Sequence, residues 1–319
     1  MNKDEPPRLL SPRGIKPGLD SIMRLYVVVF ILLIVFGSIF QGLHFEIGMV
    51  LTQLLIILMP ALWYWRRYNV NQPAFARLNS LQIRYVPIII LLAGSFWILN
   101  MVLAAGLVGG LMELGYQPIE ILKPPQTFQQ YLGYIAVLSV AAGICEEVFF
   151  RGTIMPALEE HGLVPAIVFS SLLFALFHGS FLSLLSTFML GAVIAVVVIK
   201  TGSLWGGILY HMLNNFFAST YLYIAGFYES SGQYEAAAET DLPGLAVALP
   251  LLALSLAGAY LGLKLLHKNS PVKPLLANRE RWFPRGWFSW LMAVALVLFL
   301  FMALFEMAIG FRLVPFIGQ

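Results

Sequence analysis

Apolar runs fill most of the chain, and short polar stretches interrupt them at helix-length intervals. The runs fall near 25–42, 46–65, 86–112, 131–157, 163–180, 182–200, 203–227, 243–264 and 287–310. Several reach the ~20 residues that a helix needs to cross a bilayer. The pattern predicts an all-α fold, a polytopic transmembrane helical bundle of about 8–9 spans. The turn at His178–Phe181 is very tight, so the fifth and sixth runs read as a helical hairpin that need not cross fully.

Charge gives this pattern a direction. Residues 1–20 carry Lys3, Arg8, Arg13 and Lys16 among four prolines and read as an irregular cytosolic tail. The connection after the second run holds Arg66, Arg67, Arg77 and Arg84 and no acid. The connection after the eighth holds Lys268, Lys273, Arg279, Arg281 and Arg285. Residues 228–241 instead carry Glu229, Glu235, Glu239 and Asp241 and no base. Lys and Arg mark the cytoplasmic side of membrane proteins. The N-terminus is therefore expected in the cytoplasm and the acidic segment outside. Arg312, and the acidic turn Glu159–His161 on the inner side, run against this rule. No short apolar region with a cleavage site opens the chain, so the first span reads as a retained anchor.

Composition agrees with a multi-pass protein of the cell membrane. Of 319 residues, 60% are hydrophobic and 11% charged, against about 25% charged in soluble domains. Mean hydropathy is +0.83. The net charge of +3 and its distribution give no nucleic-acid footprint. The expected partners are membrane lipid and a membrane-bound protein or peptide. A single cysteine, Cys145, excludes an intrachain disulfide. The polar connections are too short to build a core of their own. The chain divides into the tail at 1–20, N-terminal transmembrane helices at 21–130, a membrane core at 131–227 and C-terminal transmembrane helices at 228–319.

Against this apolar background, a few polar residues stand out. Ala141–Gly152 reads AAGICEEVFFRG. Glu147 and Arg151 are four apart, share a helix face and can pair, with the acid in the favourable N-terminal position. Glu146 points about 100° away. One glutamate can thus be neutralised in its own helix while the other faces a different environment. His178 sits in FALFHGS, one turn beyond Phe174. His211 and Asn215 share a face in YHMLNNF. At 1.5 Å per residue, Glu146, His178 and His211 lie about 16, 22 and 12 Å from the inner ends of their spans, so they can converge. Glu306 lies near the outer end of its span and reads as interfacial. Asn100 reads as an interhelical hydrogen bond, Phe174 as packing and Cys145 as a small apolar residue. A lone histidine in a membrane helix is as readily a structural hydrogen bond, but costly residues on three separate spans near one depth point to a site.

A carboxylate and a histidine in an enclosed apolar pocket can bind and deprotonate a water. Glu146 can take the proton and return it to a leaving amine, with His178 on the same water. His211 and Asn215 can donate to a developing oxyanion. That chemistry is amide hydrolysis without a covalent enzyme intermediate. Glu146, His178 and His211 are also a donor set for catalytic zinc, gathered from three helices. The helical H-E-x-x-H signature is absent, and the choice between water activation with and without zinc stays open.

Glu146-Glu147-x-x-x-Arg151, Phe174-x-x-x-His178 and His211-x-x-x-Asn215 resemble, in order, the three motifs of the CaaX prenyl endopeptidase and bacteriocin-processing family of intramembrane proteases. The resemblance covers about residues 131–227. It implies a multi-helix endopeptidase whose site opens toward the cytosol and membrane interior. By position it implies that Glu146 and His178 activate water, that His211 and Asn215 form the oxyanion site, and that Glu147 and Arg151 support it. It implies a CaaX-like or other membrane-associated protein or peptide as substrate, with zinc undecided. Two readings compete: a proton-coupled transporter, which inverted repeats or broken helices would favour, and a non-catalytic immunity protein that sequesters a peptide.

Overall fold

A computed structural model describes residues 18–70, 72–118, 122–230, 244–272 and 290–314. Among them the chain is all-helical. The long helices are α1 (Leu19–Leu43), α2 (Phe45–Arg67), α3 (Ile83–Glu113), α4 (Phe128–His161), α5 (Leu163–Phe177) and α6 (Leu184–Thr201). They continue as α7 (Leu204–Ser230), α8 (Gly244–Asn269) and α9 (Trp290–Gly310). Seven helices are long and apolar enough to span a bilayer. The other two are α5, whose 15 residues extend only about 22 Å, and α7, whose apolar run is broken by His211, Asn214 and Asn215. The expected tail, the acidic segment and most of the second basic connection fall outside the described residues.

Local signals place the helix starts. Thr127 accepts from the backbone N–H of Gln130, and the Gln130 side chain returns to the Thr127 N–H, a reciprocal cap that opens α4. Pro87 stands in the first turn of the α-helical part of α3, where its missing N–H costs nothing. Gly179 ends the α5 hairpin arm at φ +65°, a left-handed conformation that a side chain disfavours. Gly143 lets α4 and α7 approach, since a Cβ there would lie 2.8 Å from Met212.

Connections alternate between two faces of the bundle. Arg77, in the α2–α3 connection, makes a bidentate ion pair with Glu159 at the end of α4, at 2.7 and 2.6 Å. This pairing accounts for the acidic turn on an otherwise basic side. The Leu204 N–H donates to the Arg77 carbonyl, and Ser203 to that of Asn79. Tyr85 donates to the Asn269 carbonyl, and Ser270 to that of Lys200. The ends of α2, α4, α6 and α8 thus gather on one basic face. On the opposite face, the Gln117 N–H donates to the Gly310 carbonyl, and Glu306 grips the α5–α6 turn.

Candidate active site

Helix α4 carries the acidic pair on an α-helical stretch, Ala142–Phe149, flanked by two wider π-helical segments, Ile135–Ala141 and Phe150–Ile154. Such segments recur at functional sites because they shift the angle at which side chains leave the helix. A third, Thr52–Leu58 in α2, presents Gln53 to α4. A fourth, Leu33–Gly37, packs against the Thr52–Leu58 segment.

Glu147 and Arg151 form the expected ion pair, at 2.9 Å, with both side chains fully buried. Arg151 also donates to the Gly191 carbonyl at 2.9 Å and lies 4.6 Å over the Phe174 ring. Glu147 does more than neutralise Arg151. Its Oε1 receives His211 Nδ1 at 2.8 Å across 64 positions of sequence. An ionised carboxylate only accepts, so His211 carries its proton on Nδ1, and its Nε2 is turned to Glu146 Oε2, 4.0 Å away.

Glu146 is held from a residue the sequence motifs do not contain. Gln53 Nε2 donates to its Oε1 at 2.8 Å, and both residues are buried. The other oxygen, Oε2, is buried with no hydrogen-bond partner. A lone Gln in an apolar run is common enough to pass without notice; only its placement on the π segment facing α4 marks it out.

His178 sits in the turn that closes α5. Its Nδ1 lies 2.8 Å from the Phe174 carbonyl, which only accepts, so Nε2 is left as a lone pair. Phe174 packs edge-on to both imidazoles, with ring centroids 4.7 Å from His178 and 5.8 Å from His211. The F-x-x-x-H spacing therefore does two things: it supplies a carbonyl to orient one histidine and a ring to wedge both. Glu306 of α9 holds the turn itself. Its carboxylate accepts Ser180 Oγ–H at 2.7 Å and the Phe181 N–H at 2.6 Å. Its expected interfacial role gives way to a structural one at the His178 turn. Apolar packing of Leu176 against Phe299 and Ala303 brings α9 there.

Glu146, His178, His211 and Asn215 line one cavity of about 690 Å³. Asn215 donates to the Leu138 carbonyl at 2.7 Å, and Asn214 donates to Asn215 Oδ1 at 3.1 Å. Each amide nitrogen keeps a second N–H. Asn214 lines the cavity too, although its neighbour alone was expected there. Asn100 also lines it, and its Oδ1 is buried without a partner. Cys145 is buried and free.

A zinc centre from Glu146, His178 and His211 would need all three within reach of one ion. Among the described residues, no group of three or more His, Cys, Asp or Glu side chains is placed to hold a metal. Gln53 and Glu147 hold Glu146 Oε1 and His211 Nδ1 and leave Glu146 Oε2 and His211 Nε2 free, 4.0 Å apart; no step below is routed through a metal.

Residues 128–217 match the family model described as Rce1-like, type II CAAX prenyl endopeptidase Rce1-like. No curated protein and no solved structure matches the chain. The matched stretch starts at the capped beginning of α4 and ends inside α7, so it holds all three motifs, while Gln53 and Glu306 lie outside it. Over residues 128–217, less than a third of its length, this multi-pass membrane protein is similar to the Rce1-like family model.

Proposed function

We propose that the protein is an intramembrane endopeptidase that hydrolyses a peptide bond of a membrane-associated protein or peptide, using a water activated by Glu146. The observation that carries this reading is the buried, unpartnered Glu146 Oε2, 4.0 Å from an imidazole nitrogen and on the wall of a cavity that His178 shares. Two protonated Nδ1 atoms leave both histidines as acceptors at Nε2. A water in the cavity gives one O–H to Glu146 Oε2 and the other to an imidazole Nε2. Its oxygen attacks the scissile carbonyl carbon as Glu146 takes the proton. The carbonyl oxygen becomes an oxyanion, met by the second N–H of Asn215 and of Asn214. Glu146 then passes its proton to the amide nitrogen as the C–N bond breaks.

The remaining polar groups position these. Gln53 fixes which oxygen of Glu146 faces the water, and Glu147 fixes the His211 tautomer. Arg151 balances the Glu147 charge, so that two adjacent glutamates coexist in an apolar interior. The match to a CAAX prenyl endopeptidase model supports a CaaX-like substrate as one option.

The test is cleavage of a membrane-anchored reporter by Glu146→Ala and His178→Ala variants. Each is expected to lose activity by about 10²–10⁴-fold, the range for a positioned acid–base group. Undiminished cleavage by either removes the assignment. Chelator treatment is expected to leave activity intact; activity that falls and returns only with Zn²⁺ would overturn the metal-free mechanism.

A further inference from the structure

We infer that Asn100 and Asn214 accept main-chain N–H groups of the substrate on their side-chain carbonyls, so that the cavity receives its peptide as an unwound, extended segment. That the bound peptide is then cut rests on the endopeptidase reading; the binding groove does not.

The cavity runs between one face of α3 and one face of α7. Trp97, Asn100, Met101 and Ala104 line it from α3, at the three- and four-residue spacing that stacks side chains on one helix face. Trp97 packs against Phe217 and Tyr221 of α7, with ring centroids 6.0 Å away in each case, and so ties the two faces together. Asn100 breaks this α3 face with an amide. Its Oδ1 is buried without a partner among the described residues. Asn100 also lies outside the stretch that matches the family model.

On α7, a chain of amides fixes the orientation of Asn214. The Leu138 carbonyl only accepts, so Asn215 turns its Nδ2 to it at 2.7 Å. Asn215 Oδ1 then takes Asn214 Nδ2 at 3.1 Å. What is left of the Asn214 amide is Oδ1, again buried without a partner, on a residue only 9% exposed. Native structures keep few buried polar atoms unpaired. Two amide oxygens on the residues of one cavity wall mark where a ligand supplies donors.

The donors identify the ligand. An acyl or prenyl chain brings none. A helical segment spends its N–H groups on its own carbonyls, whereas an extended peptide leaves them free. Leu204, at the start of α7, bonds the Arg77 carbonyl in the connection that leads into α3. The two helices therefore start on one face of the bundle and run parallel, and the Trp97 contacts set their register. At 1.5 Å per residue, Asn100 lies roughly 12 Å beyond Asn214 along the shared axis. Extended chain covers that distance in about three or four residues. Asn214, beside Asn215, thus meets the main chain next to the scissile bond, and Asn100 meets it farther along.

Ester-for-amide replacement tests these contacts. A labelled peptide spanning the cleavage region of the anchored reporter is made with each main-chain N–H replaced in turn by an ester oxygen. Binding to purified Glu146→Gln protein, which does not turn it over, is read by fluorescence anisotropy in detergent. Two positions are expected to lose affinity by about 3–10-fold, the worth of one hydrogen bond. One lies beside the scissile bond and the other about three or four residues away. With Asn100→Leu added, the all-amide peptide should bind as weakly as the distal ester, and the distal ester should cost nothing further. Asn100→Ala should do the same, which separates loss of the carbonyl from filling of the groove. A distal ester penalty that survives in both variants, or a Glu146→Gln protein that binds no peptide of the series, overturns the inference. A distal penalty that depends on Asn100, with the reporter left uncut when Glu146 is present, keeps the groove and removes the endopeptidase reading.

Discussion

Removing the Arg151 guanidinium should cost more stability than removing it together with its partner's charge. Arg151 is fully buried, pairs with Glu147 at 2.9 Å and donates to the Gly191 carbonyl at 2.9 Å. Arg151→Met leaves the Glu147 carboxylate in the apolar interior with His211 as its remaining partner, a loss of about 3–5 kcal/mol for a broken buried pair. Glu147→Gln with Arg151→Met removes both charges, and the new amide oxygen still accepts from His211 Nδ1. What remains is one orphaned carbonyl at Gly191, about 1–3 kcal/mol. The double variant should therefore be more stable than the single one by about 2 kcal/mol. Thermal unfolding of purified protein in detergent, followed by circular dichroism, reads the difference. At about 2–4 °C per kcal/mol, Arg151→Met should lower Tm by about 6–20 °C and the double variant by markedly less. A double variant no more stable than Arg151→Met would show that the buried charge is not what makes the single change costly. Both variants should cleave poorly, because the charge that fixes His211 is gone or unbalanced.

Gln53→Leu should reduce kcat by about ten-fold or more with little change in KM, since it frees the Glu146 carboxylate to rotate without touching the substrate-binding walls; an unchanged kcat in reporter cleavage would remove Gln53 from the site. Glu306→Ala should loosen the His178 turn and lower kcat by up to about 10²-fold, with partial recovery in Glu306→Asp; equal activity of the two variants would mean that the carboxylate does not position the turn. Gly179→Ala should destabilise the fold by about 1–2 kcal/mol from its left-handed backbone alone; a Cβ there would also run into the Met302 side chain, and Met302→Ala in the same chain should relieve only that clash. Paired melting curves separate the two contributions.

The helices were legible because each apolar run is bounded by polar residues, and the alternation of faces followed from Arg and Lys placement. The Glu147–Arg151 pair was legible because helix geometry brings positions four apart together. The Glu147–His211 bond was not: it joins α4 to α7, and no local rule reaches across that separation. Gln53 carried no signal, since one amide in an apolar helix is usually structural. Glu306 was visible as an oddity, but its target is a turn more than a hundred residues upstream. The π-helical segments beside the acidic pair leave no evident mark in sequence, because they arise from how α4 packs on α2 and α7.

Single-turnover cleavage of an anchored reporter by Glu146→Gln in proteoliposomes bears most directly on the water-activating carboxylate. The Gln amide fits the same space and can still meet Gln53, but it cannot take a proton. Cleavage should fall by at least about 10³-fold with substrate binding and Tm unchanged. Cleavage within ten-fold of the parent protein would mean that another group activates the water.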